Sequence, residues 1–341
     1  MIAVVLVGGE GTRLRPLTLD RPKPMLPIAN RPFLAHLLDR VAEAGVTEVI
    51  FSCGYLPDAI SETFGDAYRD MRLTYIVEPE PLDTAGAIRF AAFGRVGSET
   101  FLALNGDILA AARLRDLLDQ HRRRGAQATL TLTAVDDPRR YGLVLAEPDG
   151  AVSAFLEKPG DDGPALGAGP HWINAGIYAL EPAVLDRIEP GRRVNIERVV
   201  FPALIGNGLE AWRAPGYWND IGTPTSYIAA NLAVVAGALG GEAATSLVDP
   251  TATIAPTAIV DGGSVIGAGV TVGARAHVSG SVVHEGATVE DGAVVLASAI
   301  GRGARVGAVA RVRNGAVLGS GVRVPAGAVV DGERLPEGGA P

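Results

Sequence analysis

The chain has 341 residues, 48% hydrophobic and 20% charged, with a net charge of −8 at pH 7. That length suits two domains, and the acidic balance excludes a general nucleic-acid binder, which carries a basic surface; an anionic small molecule needs only a local basic cluster. The one cysteine, Cys53, excludes an intramolecular disulfide and lies in an apolar run that reads as a buried strand. The opening apolar run is too short for a signal peptide and the longest one, near residues 232–239, is too short to span a bilayer. A cytoplasmic protein without a membrane or nucleic-acid partner is expected.

The first 234 residues alternate strands and helices. Residues 2–7 read as a buried strand that breaks at Gly8-Gly9. Residues 32–44 carry Phe33, Leu34, Leu37, Leu38 and Val41 at helical spacing and stop at Gly45. Strands follow at 46–53 and 73–77, a helix at 85–93, and a strand at 100–104 ending in Asn105-Gly106-Asp107. A helix at 114–123 and a strand at 127–135 continue the pattern. This alternation predicts an α/β domain over residues 1–234, Rossmann-like, with a mixed, mostly parallel sheet. Binding sites in such sheets gather at the carboxyl ends of strands, where Gly8-Gly9 and Asp107 fall.

Residues 235–247 read as a linker, and the pattern then changes. Small aliphatic residues recur every six positions: Val248, Ile254, Val260, Ile266, Val272 and Val278, then, after a five-residue step, Val283, Val289 and Val295. After another such step the series runs from Ile300 to Val330. One inward aliphatic per six-residue face is the hexapeptide signature of a parallel β-helix, here over residues 248–332 with about four to five coils. The left-handed form is expected. Residues 333–341 read as a flexible tail.

The strongest local signal is Gly8-Gly9-Glu10-Gly11-Thr12-Arg13-Leu14-Arg15-Pro16, followed by Pro22-Lys23-Pro24. A glycine-rich turn after a first strand brings backbone N–H groups close to a phosphate. No Gly-Lys-Ser/Thr follows, and Leu14 stands at the third glycine position of a dinucleotide fingerprint, so neither common motif applies. The segment instead adds cations: Arg13 can grip phosphate oxygens bidentately, and Lys23 can act as a point charge.

This string resembles the signature of the sugar-nucleotide pyrophosphorylases, which join a nucleoside triphosphate to a sugar 1-phosphate and release pyrophosphate. Asn105-Gly106-Asp107, Phe155-Leu156-Glu157-Lys158, Asn174-Ala175-Gly176 and Tyr217-Trp218-Asn219-Asp220-Ile221-Gly222 extend the similarity over essentially the whole chain. It is strongest to the mannose-1-phosphate guanylyltransferases. The resemblance implies a nucleotidyltransferase fold and assigns Arg13, Lys23, Asp107 and Lys158 to catalysis. It assigns Leu6, Gly8, Gly9, Gly11, Thr12, Arg13, Lys23, Glu78, Glu80, Thr84, Ala85 and Gly86 to the nucleotide. Gly142, Glu157, Lys158 and Asn174 are implied for the sugar, and Asp107 and Asp220 for Mg²⁺. The implied substrates are an NTP, with GTP favoured, and a hexose 1-phosphate.

The chemistry suits that assignment. Mg²⁺ takes a few carboxylates plus substrate phosphates, and the sugar phosphate already carries an anionic nucleophile, so charge neutralisation and alignment suffice. An ionised Glu only accepts hydrogen bonds, which matches the two adjacent donors of guanine, so Glu78, or Glu80 if the alignment slips, favours GTP. Asp83 stands where relatives often have Gly, and it either crowds the base or caps the next helix. Three alternatives stay open: a glucose-1-phosphate thymidylyl-, uridylyl- or adenylyltransferase, a non-catalytic sugar-nucleotide-binding paralogue, and an acyltransferase using His277 of the repeat. The β-helix itself, with flat stackable faces, is expected to mediate a homo-oligomer.

Overall fold

The computed structural model describes residues 1–54, 57–157 and 170–336. In chain order it contains β1 (Ile2–Val7), β2 (Pro27–Ile28), β3 (Arg31–Pro32), α1 (Phe33–Glu43), β4 (Glu48–Cys53), α2 (Pro57–Phe64), β5 (Ala67–Tyr68) and β6 (Met71–Val77). Then come α3 (Asp83–Ala92), β7 (Phe101–Asn105), β8 (Ile108–Ala110), α4 (Leu114–Arg124), β9 (Ala128–Val135), β10 (Gly142–Ala146), β11 (Val152–Glu157) and β12 (His171–Leu180). The series ends with α5 (Phe201–Leu204), β13 (Leu209–Arg213), β14 (Trp218–Asp220), α6 (Pro224–Val235) and short strands from Ser246 to Leu335. The chain forms two compact units that do not follow chain order: residues 1–9 with 37–218, and residues 10–36 with the chain from 219 onward. No helix among the described residues is long and apolar enough to cross a membrane.

In the first unit a mixed ten-stranded sheet runs β11-β10-β12-β7-β1-β4-β6-β5, with β9 also on β12 and β13 on β9. Its centre is parallel: β1 lies between β4 and β7, and β6 flanks β4. Such strands are covered on both faces and must be apolar throughout. Ile2 to Val7 meets that demand, with Ala3, Val4 and Val5 fully buried. Val4, Ile50 and Ala103 of the central strands share one core with Ile88 and Ala91 of α3 and with Ile196 and Phe201.

In the second unit the six-residue pattern closes into three parallel ladders consistent with a left-handed β-helix. Ile266, Val283, Ile300 and Leu318 stack in one ladder, Val272, Val289, Val306 and Val324 in a second, and Val278, Val295, Val312 and Val330 in a third. All twelve belong to one buried core. The two five-residue steps shorten their coils without breaking the ladders, because Ile266 still meets Val283 and Val283 still meets Ile300. Arg334 and Leu335 add a last strand, pairing with Val317 and Leu318. Leu335 packs against the core. Residues 337–341 lie outside the described residues.

Helix α6 opens with a capping box in which Thr223 and Ser226 exchange side-chain-to-backbone hydrogen bonds, with Pro224 at the first helical position. Its fully buried Tyr227 donates to Pro27 O at 2.6 Å and lies 2.8 Å from His284 Nε2. Since the tyrosine has one proton and gives it to Pro27, the imidazole donates from Nε2, which sets its tautomer. Burial pushes the His284 pKa down from 6.5 to about 4, with Arg21 adding to the shift and Glu285 opposing it. Below pH 6.5 the unfolded chain takes up a proton that folded His284 refuses until about pH 4. Stability is therefore intact above pH 6.5 and lost as pH falls through that window, by about 3 kcal/mol. Urea midpoints at pH 7.5 and 4.5 should show this loss in the wild type and a smaller one in His284→Gln.

Candidate functional site

Three glycines follow the parallel central strands at their carboxyl ends in the first unit. Gly106 N donates to Leu6 O at 2.8 Å, and a Cβ on Gly106 would sit 2.5 Å from that oxygen. A Cβ on Gly54 would sit 2.7 Å from Gly8 O. Only glycine lets these strand ends close together, which leaves Gly8 and Gly9 exposed at the rim beside half-buried Leu6. Glu78 stands against this rim. Its Oε1 accepts from Ser52 Oγ at 2.8 Å and its Oε2 from Leu82 N at 3.0 Å. Both donors fix the carboxylate as an acceptor, and each oxygen keeps a second lone pair. Glu80, two residues on, is exposed.

Helix α3 does not present its N-terminus as an open anion site. Ala85 N and Gly86 N both donate to Val194 O, at 2.9 and 3.1 Å, and both residues are buried. A Cβ on Gly86 would meet Arg192 O at 2.6 Å, so that glycine serves this backbone approach. Thr84 Oγ1 accepts from Ile196 N at 2.8 Å and donates to Glu197 Oε2 at 3.0 Å. Asp83 has φ +59° and begins the helix. Its Oδ1 accepts from Thr84 N at 2.8 Å and from Asn195 Nδ2 at 3.1 Å. Of the two readings of Asp83, the structure favours the helix start. The positive φ also gives a steric reason for glycine there.

Among the residues that the resemblance assigns to the sugar, Gly142 opens β10 directly opposite Glu157 at the end of β11, and Leu143 pairs with Ile173 of β12. Tyr141 packs edge-on against Trp218, ring centroids 5.5 Å apart, and Trp218 Nε1 donates to Ala175 O. The pairing of β12 with β9 shifts register between Asn174 and Tyr178, and Gly176 at φ +74° makes the bulge. Lys158 and the Glu157 side chain lie outside the described residues. Asp107 sits half-buried in the turn between β7 and β8.

The second unit gathers the cations. Gly11, at φ +64°, caps the single turn Thr12–Leu14, and a Cβ there would press on Lys23 Cβ at 3.1 Å and Thr18 Cγ2 at 3.2 Å. Thr18 Oγ1 donates to Gly11 O at 2.9 Å and closes the loop. Thr12 and Arg13 are exposed, whereas Lys23 is buried and its Nζ lies 3.6 Å from Asp220 Oδ1. A Cβ on Gly222 would fall 2.7 Å from Arg13 Nη2 and 2.9 Å from Asp220 Oδ1. Arg13, Lys23 and Asp220, distant in sequence, thus converge around the Gly222 backbone. Sequence reasoning missed Ser52, Tyr178 and Glu197, none of which carries a spacing signal.

Among the described residues no three His, Cys, Asp or Glu side chains form a metal-binding group. His277, the acyltransferase candidate, lies 3.3 Å from Asp261 Oδ1 on an outer face of the β-helix, a partly exposed pair.

The nucleotidyl transferase family model matches residues 2–237. The chain belongs to the nucleotidyl transferase family. A second model, the GMPPB C-terminal domain, matches residues 243–336. Among curated nucleotidyl transferase relatives, a mannose-1-phosphate guanylyltransferase of Mycobacterium tuberculosis is 45% identical over 69% of this chain and 65% of its own length. Mannose-1-phosphate guanylyltransferase 1 of Arabidopsis thaliana is 40% identical over 67% of this chain and 63% of its own. The chain thus spans just under two thirds of these relatives. The crystal structure of HddC from Yersinia pseudotuberculosis matches with a TM-score of 0.57 at 29% identity, covering 67% of this chain and 97% of that one. The same protein complexed with GMP-PN matches at 0.56 and 28%.

If Asp83 serves the helix start, Asp83→Ala should lose both hydrogen bonds and keep the left-handed strain. Asp83→Gly should lose the bonds but relieve the strain. The alanine variant should be about 1 kcal/mol less stable than the glycine variant by urea denaturation, with triphosphate affinity alike in both.

Proposed function

We propose that this nucleotidyl transferase moves a guanylyl group from GTP to mannose 1-phosphate, giving GDP-mannose and pyrophosphate. The observation that carries the reading is the convergence of Arg13 and Lys23 beside Asp220 and Gly222, because two cations gathered in one place suit an anionic ligand. The names of relatives at 40–45% identity support the guanine and mannose choices. Glu78, held as an acceptor by Ser52 and Leu82 beside Gly8, has the polarity that guanine N1–H and N2–H₂ require.

In this reading a phosphate oxygen of the sugar phosphate attacks the α-phosphorus of GTP. The bond between the α-phosphorus and the bridging oxygen breaks, and pyrophosphate leaves with that oxygen. No protein nucleophile takes part, so no nucleotidylated enzyme forms. Exposed Arg13 grips the triphosphate, and Lys23, already desolvated, offsets charge that grows on the leaving group. Gly8 and Gly9 admit the base and ribose close to the backbone. Lys158 takes the sugar phosphate, and Gly142, Glu157 and Asn174 read its hydroxyls. Asp107 and Asp220, which the family resemblance assigns to the metal, offer the hard carboxylate oxygens that a divalent ion such as Mg²⁺ takes. Such an ion, when bound, screens the phosphate charges during the displacement.

The expected result of a pyrophosphate-release assay, crossing four triphosphates with mannose, glucose and N-acetylglucosamine 1-phosphates plus Mg²⁺, is a maximum at GTP with mannose 1-phosphate. A clear preference for dTTP would overturn the guanine assignment. Arg13→Ala should lower turnover by roughly 10²–10³; a change within about threefold would remove Arg13 from the chemistry. Gly222→Ala should also lower turnover, by roughly tenfold or more, because its methyl displaces the Arg13 and Asp220 side chains.

A further inference from the structure

A buried carboxylate in the first unit has no place in the reaction above. Glu197 is 8% exposed, in the irregular turn Ile196–Val200 that follows Asn195. Burying a carboxylate costs several kcal/mol unless donors surround it. Thr84 Oγ1 donates to its Oε2 at 3.0 Å and Tyr178 Oη to its Oε1 at 3.3 Å. Tyr178, fully buried, in turn accepts from Asn174 Nδ2 at 2.8 Å. Gly176 N donates to Asn174 Oδ1 at 3.0 Å.

The polarity of this chain is determined at every link. A backbone N–H can only donate, so the Asn174 oxygen must face Gly176 and its NH₂ must face Tyr178. The tyrosine oxygen then accepts, and its single proton must go to Glu197. At the other end Thr84 accepts from Ile196 N, so its proton also goes to Glu197. Both hydroxyls thus donate to the Glu197 carboxyl group, one to each oxygen.

We propose that Glu197, acting through Tyr178, is a positioning residue that locks the Asn174 amide with one N–H and one oxygen lone pair available to a sugar hydroxyl. The inference rests on the assignment of Asn174 to the sugar site. Glutamine at 197 would present an NH₂ to one of the two hydroxyls and reverse or break the chain. Phenylalanine at 178 would remove the link with little change of shape. In either case the Asn174 amide loses its restraint and samples orientations that mispair with the hydroxyl.

The test is a double-mutant cycle read in steady-state kinetics with GTP and mannose 1-phosphate. Tyr178→Phe and Glu197→Gln should each raise the KM for mannose 1-phosphate roughly tenfold, leaving the KM for GTP within about twofold. In an Asn174→Ala background the same substitutions should have little further effect on the sugar KM. Soluble variants with lower Tm but an unchanged sugar KM would overturn the proposal, leaving Glu197 a purely structural role. So would an effect of Tyr178→Phe that persists undiminished in Asn174→Ala. A wild type that turns over no sugar 1-phosphate would defeat the parent reading and this one together, whereas a turning-over wild type with additive variants would defeat this one alone.

Discussion

Asp220, ion-paired with Lys23 and brought close to Arg13 at the Gly222 backbone, organises the cationic loop of the second unit. Lys23 is nearly out of solvent, and Asp220, 3.6 Å away, helps to make an ammonium there tolerable. Arg13 joins them because residue 222 has no side chain: any Cβ would occupy the space of its guanidinium. Asp220 lies some two hundred positions from Arg13 and Lys23 in the chain, so their meeting depends on how residues 10–36 are held against the C-terminal part.

That hold is distributed. Tyr227 of α6 donates to Pro27 O, Asn231 accepts from Ala29 N at 2.8 Å, and Asn30 donates to Ile266 O of the β-helix at 2.8 Å. Arg21 pairs with Glu285, Arg302 with Asp20 at 2.8 Å, and Arg334 donates to Arg13 O at 3.0 Å. The exposed ion pairs contribute little each; the bonds around buried Tyr227, Asn231 and His284 contribute more, because breaking one strands a polar group away from water. The hexapeptide domain is therefore a scaffold for the loop that carries Arg13 and Lys23 as well as a repeat.

The first unit shows a different economy. Its glycines at 54, 86 and 106 each permit one close backbone approach, and its α3 donors are spent on Val194 O and Asp83 instead of being left open. The side chains proposed for recognition are already held by the protein: Glu78 by Ser52 and Leu82, and Asn174 by Gly176 and Tyr178. Groups restrained before a ligand arrives lose less entropy on binding it.

The amino-acid sequence by itself determined the two grammars. Ile2–Val7 and Glu48–Cys53 are apolar enough to be only central strands, and the six-residue recurrence of Val and Ile admits little but a β-helix, because both signals are local and periodic. Its motifs also picked out Arg13, Lys23 and Asp220. Only the tertiary structure decided that residues 10–36 belong with the C-terminal unit, that Thr84, Ala85 and Gly86 turn inward to residues 194–197, and that Asp83 serves a helix start. Glu197 and Tyr178 were silent in the sequence for the same physical reason: a hydrogen bond between remote side chains leaves no period, and it exists only once packing has excluded water and put donor and acceptor within 3 Å or so of each other.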